Sequence, residues 1–251
     1  FLGRAISSSL SDSEIIGKFI TDITHFLVVI DKSVHKGVHK VWILHHLLIP
    51  RARWPLLIYE ISFTRVFRLE QRISTYIRKW LKLHSSITNI SLYSSSSPCP
   101  LPLKSLTSIL KSCKISGHLL LRDSKDPSVS SSNIELKSGT WNVSDSVNSA
   151  EAELNFRQIL GYHQVGTAGF GVTPQPETPT KGTHDYRKAI SDIVYDNDEE
   201  IYQAKAVQLG LQCNWTRWCN YTKTDLSWKT LLAQPQPLSS FCLNSTYNTL
   251  T

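Results

Sequence analysis

From Thr64 to Leu83 the apolar residues Val66, Leu69, Ile73, Tyr76, Trp80 and Leu83 recur at steps of three and four. At roughly 100° per residue this spacing gathers them on one side, which predicts a helix over 64–83 whose apolar side seeks a core. Upstream, Ile15, Ile16, Phe19, Ile20, Ile23, Phe26, Leu27 and Ile30 form a similar stripe, and Ser11, Asp12 or Ser13 stands where a helix cap is needed. A second helix is predicted from Ser33 to Ile49 and stopped by Pro50, which lacks an N–H and biases Ile49 away from helical angles. Pro55 makes 51–63 a kinked helix or an extended turn. Three or four helices within about 80 residues, joined by short connections, predict a bundle.

After His84 the pattern weakens, and SSSSPCPLP at 94–102 reads as a linker. A short helix is expected from Leu103 to Leu121, then loop over 122–140, where Pro127 is followed by a serine run. Ser144 or Asp145 is placed to cap a helix from Ser146 to Leu160. The Gly- and Pro-rich stretch 161–182 is expected to be mostly irregular. A last long helix is predicted from about His184 to Leu211, with Ile190, Ile193, Val194, Ile201, Ala204 and Val207 on its apolar side. The fold class this yields is mainly α, and no repeat of fixed period is present.

Charge changes the picture. The 251-residue chain carries a formal net charge of +7, and all of it arises before residue 90, where thirteen Lys and Arg face six acids. That asymmetry directs any polyanion to the N-terminal third. On the wheel of the 64–83 helix, Arg65, Arg68, Arg72 and Lys79 fall together and flank the apolar face. A nucleic-acid backbone is the commonest polyanion for such a stripe; the plainer reading is a core helix with a solvated basic side. With 41% hydrophobic and 19% charged residues the composition is that of an ordinary soluble protein. FLVVI at 26–30 and VWILHHLLI at 41–49 are too short to span a bilayer, so no membrane partner is expected. The absence of methionine and the start at Phe1 suggest a piece of something longer. Cys99, Cys113, Cys213, Cys219 and Cys242 are odd in number and lack CxxC pairs, which argues against a disulfide scaffold or a zinc finger and for a reducing, intracellular setting, nuclear or cytoplasmic. The sequons at Asn89, Asn142, Asn214, Asn220 and Asn244 carry no information in a chain so rich in Ser and Thr.

Catalytic chemistry is not visible. His35, His39 and His46 share a helical side, beside His25 and His45, but no carboxylate or Cys completes a zinc set, so no metal ligand is assigned. Gly161, Gly166, Gly169 and Gly171 lack the GK[ST] of a phosphate loop and read as a turn. Asp196, Asp198, Glu199 and Glu200 point several ways and read as a solvated segment. Trp215, Trp218 and Trp228, interleaved with Arg217, Lys223 and Lys229, could stack bases, but large aromatics at this spacing more often anchor a helical unit by packing. No nucleophile–base arrangement and no pair of metal-holding aspartates appears.

The order of parts is more specific. Phe1-Leu2-Gly3, a capped helix, LLIPRARWPLLIYEI at 47–61 and RLEQRISTYIRKWLKL at 68–83 resemble the segment just after the palm of non-LTR (LINE-type) retrotransposon reverse transcriptases. There an F-L-G strand of the primer grip leads into a helical thumb with an L-x-x-x-x-I-P turn and L-[DE]-x-x-[IV]-[RK]-x-W-L-x-L. Leu2-Gly3, Ile49-Pro50, Leu69-Glu70, Ile77-Arg78 and Trp80-Leu81-Lys82-Leu83 stand in those places. The stretches GYHQVGTAGFG, RKAISDIVYDNDEEIYQAKAVQLGLQCNWTRW and LSWKTLL resemble the linker region that follows, more loosely. Where such polymerases carry GGLG(I/L)P after the thumb, this chain has SSSSPCPLPLKSL at 94–106.

The resemblance implies a primer-grip end plus thumb at 1–90, a linker with one short helix at 91–145 and an α-rich post-thumb region at 146–251. It implies that Arg65, Arg68, Arg72 and Lys79, supported by Arg51 and Arg53, hold the phosphates of an RNA–DNA or DNA primer–template duplex. The catalytic aspartates and their magnesium belong to the palm, upstream of Phe1, so no cofactor is expected in this segment and the segment by itself is not expected to polymerise. The alternatives are a non-enzymatic structural or interaction segment, a decayed remnant of a mobile element, and an independent helical DNA-binding module.

Overall fold

In the computed structural model the described residues are 12–132, 134–136, 138–160, 162–166, 169–173, 179–209, 226–247 and 249, with backbone alone over 158–160, 162–166 and 169–173. The chain is mainly helical: α1 (Ser13–Lys32), α2 (Gly37–Ile43), α3 (Ile49–Ile58), α4 (Phe63–Leu81), α5 (Asn89–Tyr93), α6 (Leu106–Arg122), α7 (Pro127–Ser130), α8 (Val143–Leu160), α9 (His184–Val207), α10 (Trp228–Ala233) and α11 (Gln236–Thr246). One antiparallel hairpin, β1 (Tyr162–Gly166) and β2 (Gly169–Thr173), lies within the stretch expected to be irregular. Glycine suits its tip, where Gly166 pairs with Gly169.

Apolar periodicity locates α1 and α4 well. Ile16, Phe19, Ile23, Leu27 and Ile30 of α1 are buried, as are Val66, Leu69, Ile73, Ile77 and Trp80 of α4. The cap of α1 works differently from expectation. Asp12 precedes the helix, but its Oδ2 accepts the distant Glu60 N–H at 3.1 Å, tying α1 to the segment before α4.

The stop expected at Pro50 does not occur. Helix continues from Gly37 to Ile58 through a π-turn at Leu44–Leu48, in which the Ile49 N–H reaches back to the Leu44 carbonyl. A proline in a regular helix loses one bond and strikes the carbonyl four residues back. The widened turn replaces the tight one at that point, and Pro50 then sits at the start of α3, where a missing N–H costs little. Pro55 is accommodated inside α3, and 51–58 is therefore helical. Because α2 starts only at Gly37, His35 lies in the preceding loop and shares no helical side with His39.

Residues 94–105 are non-helical, yet they do not form a solvated linker. Ser94, Ser97, Leu101, Leu103 and Ser105 are buried against the bundle. α6 then packs on α3 and α4 with one end and on α8 and α9 with the other. Its Leu106, Ile109, Leu110 and Cys113 join the core of α1–α4, while Ile115 and Leu119 join Val143, Val147, Ala150, Tyr186, Ile190, Ile193 and Val194 in a second cluster. α8 starts three residues earlier than expected because Asn142 Oδ1 accepts the Ser144 N–H at 3.0 Å. At the far end of the chain, Leu231, Leu243 and Tyr247 return to the first cluster.

Candidate nucleic-acid interface

α4 is the scaffold of the basic stripe. Its N-terminus is fixed by neighbours: the Phe63 N–H donates to the Ser138 carbonyl at 2.9 Å, and Gly139 (φ 76°) brings the chain so near that a β-carbon there would lie 2.9 Å from Ser62 Cβ. Its C-terminus closes with Lys82 in the left-handed conformation (φ 53°), the Lys82 N–H bonding the Lys79 carbonyl and the Leu83 N–H the Arg78 carbonyl. Glycine usually takes this position, since a β-carbon there costs about 1–2 kcal/mol. α11 compensates. Gln236 Nε2 donates to the Trp80 carbonyl (2.7 Å), Ser240 Oγ to the Leu81 carbonyl (2.6 Å) and Asn244 Nδ2 to the Lys82 carbonyl (3.2 Å). Three side chains at four-residue spacing thus satisfy three successive carbonyls that a helix end leaves open.

Between these fixed ends Arg65, Arg68, Arg72 and Lys79 are all exposed, within roughly 60° of one another around the helix axis. Among the described residues Arg65, Arg68 and Arg72 make no ion pair. Lys79 does: its Nζ lies 2.7 Å from Asp31 Oδ2. Trp80 Nε1 donates to Asp31 Oδ1 at 2.9 Å and Lys40 Nζ to the Asp31 carbonyl at 2.6 Å. The Lys79 ammonium, and after it the Trp80 indole, hold the Asp31 carboxyl below its usual range. Arg78 lies off the stripe and is half-buried, donating to the Ile87 carbonyl and to Asn89 Oδ1, both at 2.6 Å.

Arg51 and Arg53 do not extend the stripe. Arg51 stacks over the Phe26 ring at 5.3 Å. Phe26 and Asp31 are five residues apart on α1, about 140° around its axis, so Arg51 and Lys79 flank opposite sides of that helix. Arg53 lines a cleft between α3, α6 and α9. The sequence pattern gave no local sign of Asp31 or Lys40 beside the stripe, because their approach depends on how α1 and α2 cross α4.

The opposite side of α4 is a buried polar layer. Glu70, 2% exposed, accepts the Thr107 N–H at 2.9 Å and the Thr107 hydroxyl at 2.8 Å, and so caps the start of α6. Burial raises its pKa, and these hydrogen bonds only partly oppose the rise. Ser74 Oγ lies 3.0 Å from the Tyr93 hydroxyl, which burial holds far above its usual range. Two acids of α9 are engaged where a solvated segment was expected: Asp198 pairs with Lys111 at 2.6 Å, and the buried Glu199 accepts the Ser94 hydroxyl at 2.8 Å, while Asp196 and Glu200 are exposed.

Trp228 packs, as its spacing suggested, with its ring 5.4 Å from His45 and 5.3 Å from His46. Trp215, Trp218, Phe1-Leu2-Gly3, Arg217, Lys223, Cys213 and Cys219 lie outside the described residues. Asn89, Asn142 and Asn244 use their side chains in the hydrogen bonds above. No group of three or more His, Cys, Asp or Glu among the described residues is arranged to hold a metal ion. No helix there is long and apolar enough to cross a membrane. The chain matches no protein-family model and no curated protein.

Proposed function

We propose that this chain is the duplex-holding segment of a non-LTR-type reverse transcriptase, without the catalytic palm, and that α4 is the helix that faces primer–template. The observation that carries the reading is the exposed row Arg65, Arg68 and Arg72, unpaired among the described residues, on a helix fixed at both ends. The motif order around Ile49-Pro50 and Trp80-Leu81-Lys82-Leu83 supports the polymerase parentage. Guanidinium groups on a fixed helix contact phosphates without reading sequence, and each contact releases counterions. The test is binding of an RNA–DNA hybrid across a salt series. Changing Arg65, Arg68 and Arg72 together to Ala is expected to lower the log–log salt slope by about 2–3. An unchanged slope removes the assignment.

A second reading, a structural or interaction segment whose charge serves solubility, is favoured by the engagement of two candidate cations within the protein, Lys79 with Asp31 and Arg51 with Phe26. It predicts weak hybrid binding that all these substitutions leave unchanged.

A further inference from the structure

A cleft of about 560 Å³ lies between α3, α6 and α9, within the range of small-molecule sites. Charged residues of both signs line it. Arg53 from α3 and Lys104 from the segment before α6 are among them, and neither has a carboxylate within ion-pair distance among the described residues. Asp192, exposed on α9 and also without an ion-pair partner among those residues, lines it as well. The Lys111–Asp198 pair joins α6 to α9 and neutralises both of its members.

The π-turn supplies the third element. It places His45 among the residues that line the cleft, with Nδ1 enclosed by protein and without a hydrogen-bond partner among the described residues. Burial, then the neighbouring His46 and Lys104, hold the ring's pKa below its ordinary value. A neutral imidazole at neutral pH offers one donor and one acceptor. π-turns are also frequent at functional sites.

We propose that this cleft binds a small hydroxyl-bearing phosphomonoester, its phosphate on Arg53 and Lys104 and its hydroxyls toward Asp192 and His45. Two cations without ion-pair partners among the described residues suit a compact dianion, whereas Asp192 disfavours a ligand charged along its whole length, such as a nucleic-acid strand. Carboxylate and neutral imidazole instead take hydrogen bonds from sugar hydroxyls. The site is independent of the stripe on α4.

Calorimetric titration of the full chain with ribose 5-phosphate and with a nucleoside monophosphate, against inorganic phosphate and ribose, tests this. At least one phosphomonoester is expected to bind saturably and at least tenfold tighter than either control. Tighter binding of the nucleotide identifies a nucleotide as the source, and equal binding identifies a sugar phosphate. Arg53→Ala and Lys104→Ala are each expected to weaken binding on the order of tenfold or more. Asp192→Asn is expected to weaken ribose 5-phosphate but not inorganic phosphate. All three residues are exposed, so the variants should retain the parent melting temperature. No saturable binding, parity with inorganic phosphate, or indifference to both cation substitutions overturns the proposal.

Discussion

Gly37 lies so close to Trp80 that a β-carbon on it would stand 1.7 Å from the Trp80 carbonyl oxygen. Gln236 bridges the same two residues, accepting the Gly37 N–H at 2.9 Å and donating to the Trp80 carbonyl at 2.7 Å. The start of α2, the end of α4 and the start of α11 therefore meet at one point. The obstacle to a side chain there is backbone, which cannot swing aside, so Gly37→Ala must part α2 from α4. Overpacking of this kind costs about 2–3 kcal/mol, or roughly 5–10 °C in a chain of this size. Thermal unfolding followed by circular dichroism checks it; a melting temperature within a degree of the parent's contradicts the close approach.

The carbonyls at the end of α4 depend on α11 in the same way. Ser240→Ala removes a hydroxyl that bonds the Leu81 carbonyl, and Asn244→Ala removes bonds both to the Lys82 carbonyl and from the His84 N–H. Each is expected to cost about 1 kcal/mol. Because the two side chains serve the same helix end, the double variant should lose less than the sum. In a variant that carries Lys82→Gly the cost of Asn244→Ala should shrink, since glycine adopts the left-handed turn without strain. Denaturant titrations of the parent and these five variants check both cycles.

α1 and α4 were legible because each buries one continuous stripe, and the 3.6-residue period records that burial directly. Pro50 was not, because proline's cost in a regular helix is visible in the sequence whereas the π-turn that removes it is not. The serine-rich segment 94–102 has the composition of a linker, but Ser94 and Ser97 face the protein interior, and only the fold shows the Glu199 that receives the Ser94 hydroxyl. The same limit applies to the stripe. Its spacing on α4 could be read from the sequence, but Asp31, forty-eight residues before Lys79, reaches it only through helix packing.

Glu70 gives the pH dependence a definite sign. Its folded pKa is raised by burial. The stabilisation it contributes is therefore complete below the ordinary glutamate range and is lost as pH rises through the folded value. Above that value an ionised carboxylate sits beneath α4 at a cost. Glu70→Gln keeps an acceptor for the Thr107 N–H and hydroxyl while removing the charge. It should raise the melting temperature by a few degrees at pH 7 and by nothing at pH 4. Glu70→Ala, which takes this acceptor from the Thr107 N–H and hydroxyl and leaves α6 with its Ser105 cap alone, should lower stability at both pH values by about 1–2 kcal/mol. If Glu70→Gln melts below the parent at pH 7, the carboxylate is stabilising and the sign is reversed.

Asp31 decides how many cations α4 offers to a phosphate backbone. Its carboxyl is held below the usual range first by Lys79 and then by Trp80, so this contact is present above the ordinary aspartate pKa and is lost as pH falls through the folded value. At neutral pH Lys79 is compensated, and the part of the stripe without ion pairs among the described residues is Arg65, Arg68 and Arg72. Arg72→Ala should then reduce the salt slope of hybrid binding by about 0.9, the value for one phosphate contact, while Lys79→Ala changes it little. Asp31→Asn releases Lys79 and should steepen the slope by a similar amount, and the gain should vanish in the Asp31→Asn, Lys79→Ala double variant. Equal slopes for Arg72→Ala and Lys79→Ala in the parent background would mean that the ion pair opens to admit the duplex and that all four residues act as one row.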